Sequence, residues 1–173
     1  MRNAFRSAPL LVATAILAGC GGDSNEPNDP FPEASGVYEA SGGFDEIPSS
    51  DGSFSGTLEL TQASRESGAL EGSAALLVEL QGDIFNLSDD VISNASVSPT
   101  GVIVFTLGDA EATWTFSGTL SGDNINSGRH TLSSTSANIS GSWQGSRATG
   151  NAIASREASD AISLAEMLHR FVR

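Results

Sequence analysis

The chain has 173 residues with 21 acidic side chains against eight arginines and no lysine, a formal charge of −13, and one domain is the natural expectation at that length. Apolar residues make up 39% and aromatics only 6%, with glycine and serine abundant, a mixture that excludes a polytopic membrane protein and a coiled coil. The acidic excess also argues against a nucleic-acid partner, because phosphate backbones are bound by Lys and Arg that release counterions.

At the N-terminus, Arg2 and Arg6 precede an apolar run from Ala8 to Ala18 that closes on small residues. A run of about eleven residues cannot cross a hydrocarbon core that takes roughly 20 in helix. Residues 1–19 are therefore expected to be a secretory signal peptide. The segment ends Leu17-Ala18-Gly19-Cys20, which resembles the bacterial lipobox in register with a basic start and an apolar core. That resemblance covers residues 1–20 and implies cleavage by signal peptidase II before a Cys20 that carries diacylglycerol. Cys20 is the sole cysteine, so no intramolecular disulfide can form in an oxidising compartment, and acylation accounts for an otherwise unexplained thiol. Two or three acyl chains anchor stably where one binds marginally, at about 0.8 kcal/mol per buried methylene. The expected partner is thus a membrane, reached through acylated Cys20, in the cell envelope. By resemblance to the sorting rule of enterobacterial lipoproteins, Gly21 in place of Asp favours the outer over the inner membrane. Residues 20–35, CGGDSNEPNDPFPEAS, bury almost nothing and read as a disordered tether. Beyond the signal peptide six arginines face all 21 acids, a charge of −15, which anionic lipid repels.

From Gly36 the chain alternates at period two. Phe54, Gly56, Leu58 and Leu60 share one face, as do Trp114, Phe116, Gly118 and Leu120, and Ile139, Gly141 and Trp143. The pentapeptide Phe-Ser-Gly-Thr-Leu occurs at both 54–58 and 116–120. Strands are expected over 36–44, 53–62, 69–80, 83–87, 91–97, 101–107, 111–121, 125–132 and 137–146, joined by turn-like Gly, Pro, Asn and Asp segments of hairpin length. Short antiparallel strands manage their edges by closing or by stacking. The expectation for residues 36–150 is all-β: a single antiparallel up-and-down barrel of about eight strands, with a β-sandwich as the alternative. The apolar-x-Gly-x-apolar pattern resembles the small Gly-rich, lipocalin-like barrel modules of bacterial lipoproteins. It carries over no binding residue, and the lipocalin Gly-x-Trp is absent, with Gly36-Val37-Tyr38 in its place.

Over residues 155–172 the period changes to 3.6, and Ala158, Ala161, Ile162, Ala165, Leu168 and Val172 form one stripe, widened by Leu164 and Phe171. An amphipathic C-terminal helix is expected, with Ser155 as N-cap and Glu166–Arg170 as an i,i+4 pair. Its apolar face should cover barrel surface or plug one mouth.

Chemistry-bearing patterns are sparse. There is no G-x-S-x-G, H-E-x-x-H or phosphate loop, and the two histidines, His130 and His169, fall on separate elements. No catalytic residue, metal ligand or cofactor is expected, and the acid pairs Asp45-Glu46, Asp89-Asp90 and Asp109-x-Glu111 are read as solvated. Eight strands give an interior just wide enough for side chains or one small ligand. Inward Gly56, Gly72, Ala74, Gly118 and Gly141 are expected to leave room there. Trp114, Phe116, Trp143 and His130 are the candidate ligand-binding residues. The functional expectation is a non-enzymatic, lipid-anchored module that binds a small apolar ligand or a partner's segment. The alternative is a structural or inhibitory envelope protein acting through loops or the C-terminal helix.

Overall fold

The alternating segments become nine strands whose ends fall within two residues of the sequence expectation. A computed structural model describes residues 30–49, 51–89, 92–135, 137–149 and 161–171. The strands are β1 (Gly36–Phe44), β2 (Gly52–Gln62), β3 (Leu70–Leu80), β4 (Asp83–Asp89), β5 (Ser93–Val97), β6 (Val102–Gly108), β7 (Ala112–Ser121), β8 (Asn124–Ser134) and β9 (Asn138–Arg147), followed by a helix α1 (Leu164–Phe171). The expected signal peptide, Cys20 and residues 150–160 at the start of the expected helix lie outside the described residues.

All strand pairs are antiparallel, in the order β4-β3-β2-β1-β9-β8-β7-β6-β5. Tight turns set the register. Gln81 and Gly82, at φ 53° and 89°, make the two-residue loop that pairs Leu80 with Asp83, and two positive φ values are what a type I′ hairpin requires.

The sheet curls into a half-barrel, and this corrects the expectation of a closed barrel or a sandwich. Consecutive strands β4 and β5 are its two edges. They lie end to end along β3 rather than side by side. β4 covers β3 from Ala74 to Leu80, whereas β5 meets only the start of β3, through Ile92 N to Gly72 O (2.9 Å), Val97 N to Gly68 O (2.7 Å) and an isolated Ala69–Ser96 bridge. A bulge between Ser93 and Ser96, with Asn94 at φ 50°, twists β5 away from a continuous ladder, a common device at sheet edges.

The concave face is dry. Phe44, Phe54, Phe105, Trp114, Phe116 and Trp143 are all buried, with ring centroids 4.8 to 6.1 Å apart, the spacing at which edge and offset-stacked contacts add to area burial. Glycines make this possible in a way opposite to expectation, because three of them lie directly across a strand pair from a ring. Gly42 faces Phe54, Gly128 faces Trp143 and Gly141 faces His130. A methyl at Gly42 would come within 2.5 Å of Phe54 Cζ, and one at Gly128 within 2.6 Å of Trp143 Nε1. The space left by the missing side chain is occupied by the neighbour's ring. Likewise Gly118 is covered by Ile125, while Gly56 and Gly72 abut backbone of β3 and β2.

The segments that flank the strands, before β1 and at α1, both pack on the sheet. Residues 31–35, expected as tether, pack onto it: Phe31 and Ala34 join the core. Arg147 lies over the Tyr38 ring, 5.1 Å from its centroid, and donates to Tyr38 Oη (3.0 Å), Glu33 O (3.3 Å) and Ser35 O. Its Nε sits 3.0 Å from Asp123 Oδ1. Tyr38 in turn donates to Ala34 O (3.0 Å), and burial raises its phenol above the ordinary range.

After β9, the described part of the expected helix is α1, which starts at Leu164 with Ser163 as its cap. Ser163 Oγ accepts from Glu166 N (3.1 Å) and Ser163 O from Met167 N (3.0 Å), the N-cap half of an S-x-x-E box. The Glu166–Arg170 pair forms at 2.5 Å, as the sequence suggested. An eight-residue helix does not persist alone. Docking of Leu164, Met167 and Leu168, all buried, supplies about 1.5 to 3 kcal/mol for each side chain.

The ring-on-glycine arrangement predicts that Gly128→Ala destabilises the protein by about 1 to 3 kcal/mol, since an overpacked core must shift, whereas exposed Ser142→Ala stays within about 0.5 kcal/mol. Urea unfolding of the two variants measures the difference.

Candidate functional site

The half-barrel leaves a seam between β4 and the end of β6, and the C-terminal segment fills it. Ile162 N donates to Asn86 O of β4 (3.0 Å), so the chain just before α1 lies against the sheet edge. Leu164 packs on Gly108, where a methyl would meet Leu164 Cδ2 at 2.9 Å. Beside this segment is a pocket of about 240 Å³, partly open to solvent and lined by Ala74, Leu76, Leu87, Leu107, Gly108, Asp109, Trp114, Ile162, Ser163 and Leu164.

The cavity is apolar along the sheet and polar at one margin. Ala74, Leu76, Leu87 and Leu107 form its walls with Trp114 behind them, while Asp109 and Ser163 supply oxygen atoms. Asp109 Oδ1 accepts from Glu111 N (2.8 Å) and Ala112 N (3.2 Å), an Asx-type turn that holds the carboxylate in place. The volume exceeds the roughly 150 Å³ of an engineered apolar cavity that takes benzene or xenon, and falls below the roughly 300 Å³ where pockets for drug-sized ligands begin.

Of the four candidate ligand-binding residues, only Trp114 lines this cavity. Phe116 and Trp143 belong to the packed interior, Trp143 Nε1 donating to Ser117 O at 2.8 Å. Ala74 alone, among the small inward residues expected to leave room, borders it. Leu76, Leu87, Leu107 and Asp109 were not singled out from sequence, since only the meeting of β3, β4, β6 and the chain's end brings them together. Among the described residues no three His, Cys, Asp or Glu side chains converge as a metal site.

His130 is 2% exposed and is held by partners far away in sequence. Trp114 Nε1–H can only donate, and it lies 3.0 Å from His130 Nδ1. The network therefore assigns the proton to Nε2, which donates to Gly43 O at 3.0 Å. Phe44, Phe54, Trp114 and Phe116 surround the imidazole at 5.1 to 5.8 Å. Burial lowers its pKa from the ordinary 6.5; the Gly43 hydrogen bond opposes that, Arg129 adds to it, and Asp45 and Glu46 oppose it. A protonated Nδ1 would also confront the Trp114 N–H.

No family model matches this chain, and neither a curated protein nor a solved structure matches it.

Because the folded state binds a proton at His130 less readily than the unfolded chain, the unfolded state gains protons first on acidification. Stability is predicted to hold above about pH 6.5 and to fall as pH drops from there toward the lowered folded value. Urea midpoints between pH 8 and 5 check this. His130→Gln should flatten the slope in that window while lowering stability at pH 8.

Proposed function

We propose that this protein is a lipid-anchored component of the cell envelope that binds a small apolar molecule in the seam cavity and performs no catalysis. The observation that carries the reading is the cavity itself, a space of about 240 Å³ with Leu76, Leu87, Leu107 and Trp114 around it. Its size suits one aromatic ring with a short substituent, by comparison with the roughly 150 Å³ that holds benzene. Asp109 at the margin and the acidic body disfavour a carboxylate head, so neutral or cationic ligands are preferred. Binding rather than catalysis is supported by His130, whose two ring nitrogens are committed to Trp114 and Gly43.

The anchor rests on Leu17-Ala18-Gly19-Cys20, and Gly21 favours the outer membrane. The ten residue-to-residue steps from Cys20 to Pro30 reach at most about 35 Å. The chain enters the sheet at the Gly36 end of β1, whereas the cavity borders Gly108 and Asp109 at the opposite end of the strands. On this reading the binding site faces away from the lipid. An interaction role through α1 is the weaker alternative, because Leu164, Met167 and Leu168 are spent against the sheet.

In a Trp143→Phe background, where Trp114 is the sole indole, benzyl alcohol and benzylamine are expected to shift its emission and raise the melting temperature as ligands of the folded state do. Benzoate should bind about fivefold more weakly, the size of a solvent-screened charge effect, and Asp109→Asn should remove that difference. If none of the three probes binds, the cavity is no binding site. For the anchor, labelled palmitate is expected to enter the wild-type protein in an exporting host and not Cys20→Ala; label in neither contradicts lipidation.

A further inference from the structure

We propose that the outer edge of β4, next to the β3–β4 hairpin, is a strand-addition site for an extended, cationic segment of a partner protein. The inference goes beyond the small-molecule reading above and concerns a second surface.

Pairing parity shows which backbone groups face outward. The two-residue loop makes Leu80 and Asp83 a hydrogen-bonded pair, and bonded and non-bonded pairs then alternate along the hairpin. Ile84, Asn86 and Ser88 therefore turn their N–H and C=O away from β3. The chain itself uses one of these groups, since Ile162 N donates to Asn86 O (3.0 Å). Between that bond and the hairpin, the outward N–H and C=O of Ile84 have no backbone partner among the described residues.

The two edges of the sheet are built differently. β5 carries a bulge between Ser93 and Ser96 and is tied to the start of β3 through Ile92 and Val97. β4 keeps an unbroken register from Asp83 to Asp89 and contains no proline, bulge or lysine, devices that ordinarily blunt an edge. On it sits Ile84, 65% exposed, the most exposed large apolar side chain among the described residues. When a strand adds to a sheet, outward backbone groups supply affinity and the flanking side chains select the strand.

Charge names the occupant. From Glu66 to Gly128 the chain has no Lys or Arg. Glu79 lies directly across from Ile84, Asp83 precedes it, and Asp51 O accepts from Gln81 N of the hairpin loop (2.6 Å); all three acids are exposed. The same strand disfavours a second copy as partner. Antiparallel pairing of two β4 strands about Asn86 sets Asp83 of each across from Asp89 of the other, and like charges directly opposite destabilise a sheet. A segment with Lys or Arg at its ends and β-branched residues between them meets both the backbone edge and the acids.

Hydrogen exchange at the Ile84 amide tests this, because strand addition turns an open N–H into a bonded one. With the full chain and saturating end-blocked peptide KTVTVTK, exchange at Ile84 is expected to slow by about tenfold or more. The peptide ETVTVTE should bind about tenfold more weakly, the scale of two exposed charge contacts. Ile84→Pro removes the outward donor and leaves the β3 ladder intact, a position where an edge strand tolerates proline, so it should abolish KTVTVTK binding. Asp83→Lys keeps the backbone edge and should narrow the difference between the two peptides. Unchanged exchange at Ile84 with both peptides overturns the strand-addition site, and equal protection by both overturns its cationic occupant. Protection that rises with protein concentration in the absence of peptide assigns the edge to a second copy and also overturns the proposal. The aromatic probes of the cavity report on Trp114 and decide that reading separately.

Discussion

The constraint on which the molecule depends is the placement of a ring opposite a glycine across paired strands. Phe54 over Gly42, Trp143 over Gly128 and His130 over Gly141 each lie against the backbone of a glycine on the paired strand. The rings can then reach the middle of a sharply curled sheet and touch one another. A chain with only 6% aromatics fills its concave face in this way, and the cross-strand contact ties each ring to one register. Polar closure is equally local in space and distant in sequence, with Trp114 and Gly43 holding the two nitrogens of His130.

With the interior occupied, space for another molecule falls where strand pairing ends. β4 and β5 share the edge of β3 end to end, so the two rims of the sheet meet at one end and part at the other. Apolar residues of β3, β4 and β6 would face water across that gap. The C-terminal segment covers them, and the cavity is what its side chains leave unfilled. Structure and function are joined at this point, because the element that completes the core is also the wall of the candidate site.

Much of this was legible in sequence. Alternation located nine strands and their inward faces, and the Glu166–Arg170 spacing located a helical pair, because both periodicities are local. Closure was not legible, since it depends on how β4 and β5 share β3, and the bulge at Asn94 has no composition signal that distinguishes it from an ordinary strand residue. The glycines were misread for the same reason. Whether an inward glycine is a void or a bed for a ring depends on its cross-strand partner, and Gly141 meets His130 only once the β8–β9 register is known. The cap at the start of α1 did have a local signal, Ser163-Leu-Ala-Glu166.

The central claim is that rings on glycine beds fill the middle of the concave face and that ligand space lies at the seam. A crystal structure under xenon pressure tests it most directly, because xenon occupies dry apolar cavities of this size. The account predicts xenon between Leu76, Leu87 and Leu107 beside Trp114, and none among Phe54, Phe116 and Trp143. Xenon lodged within that aromatic group, with the seam empty, would contradict it.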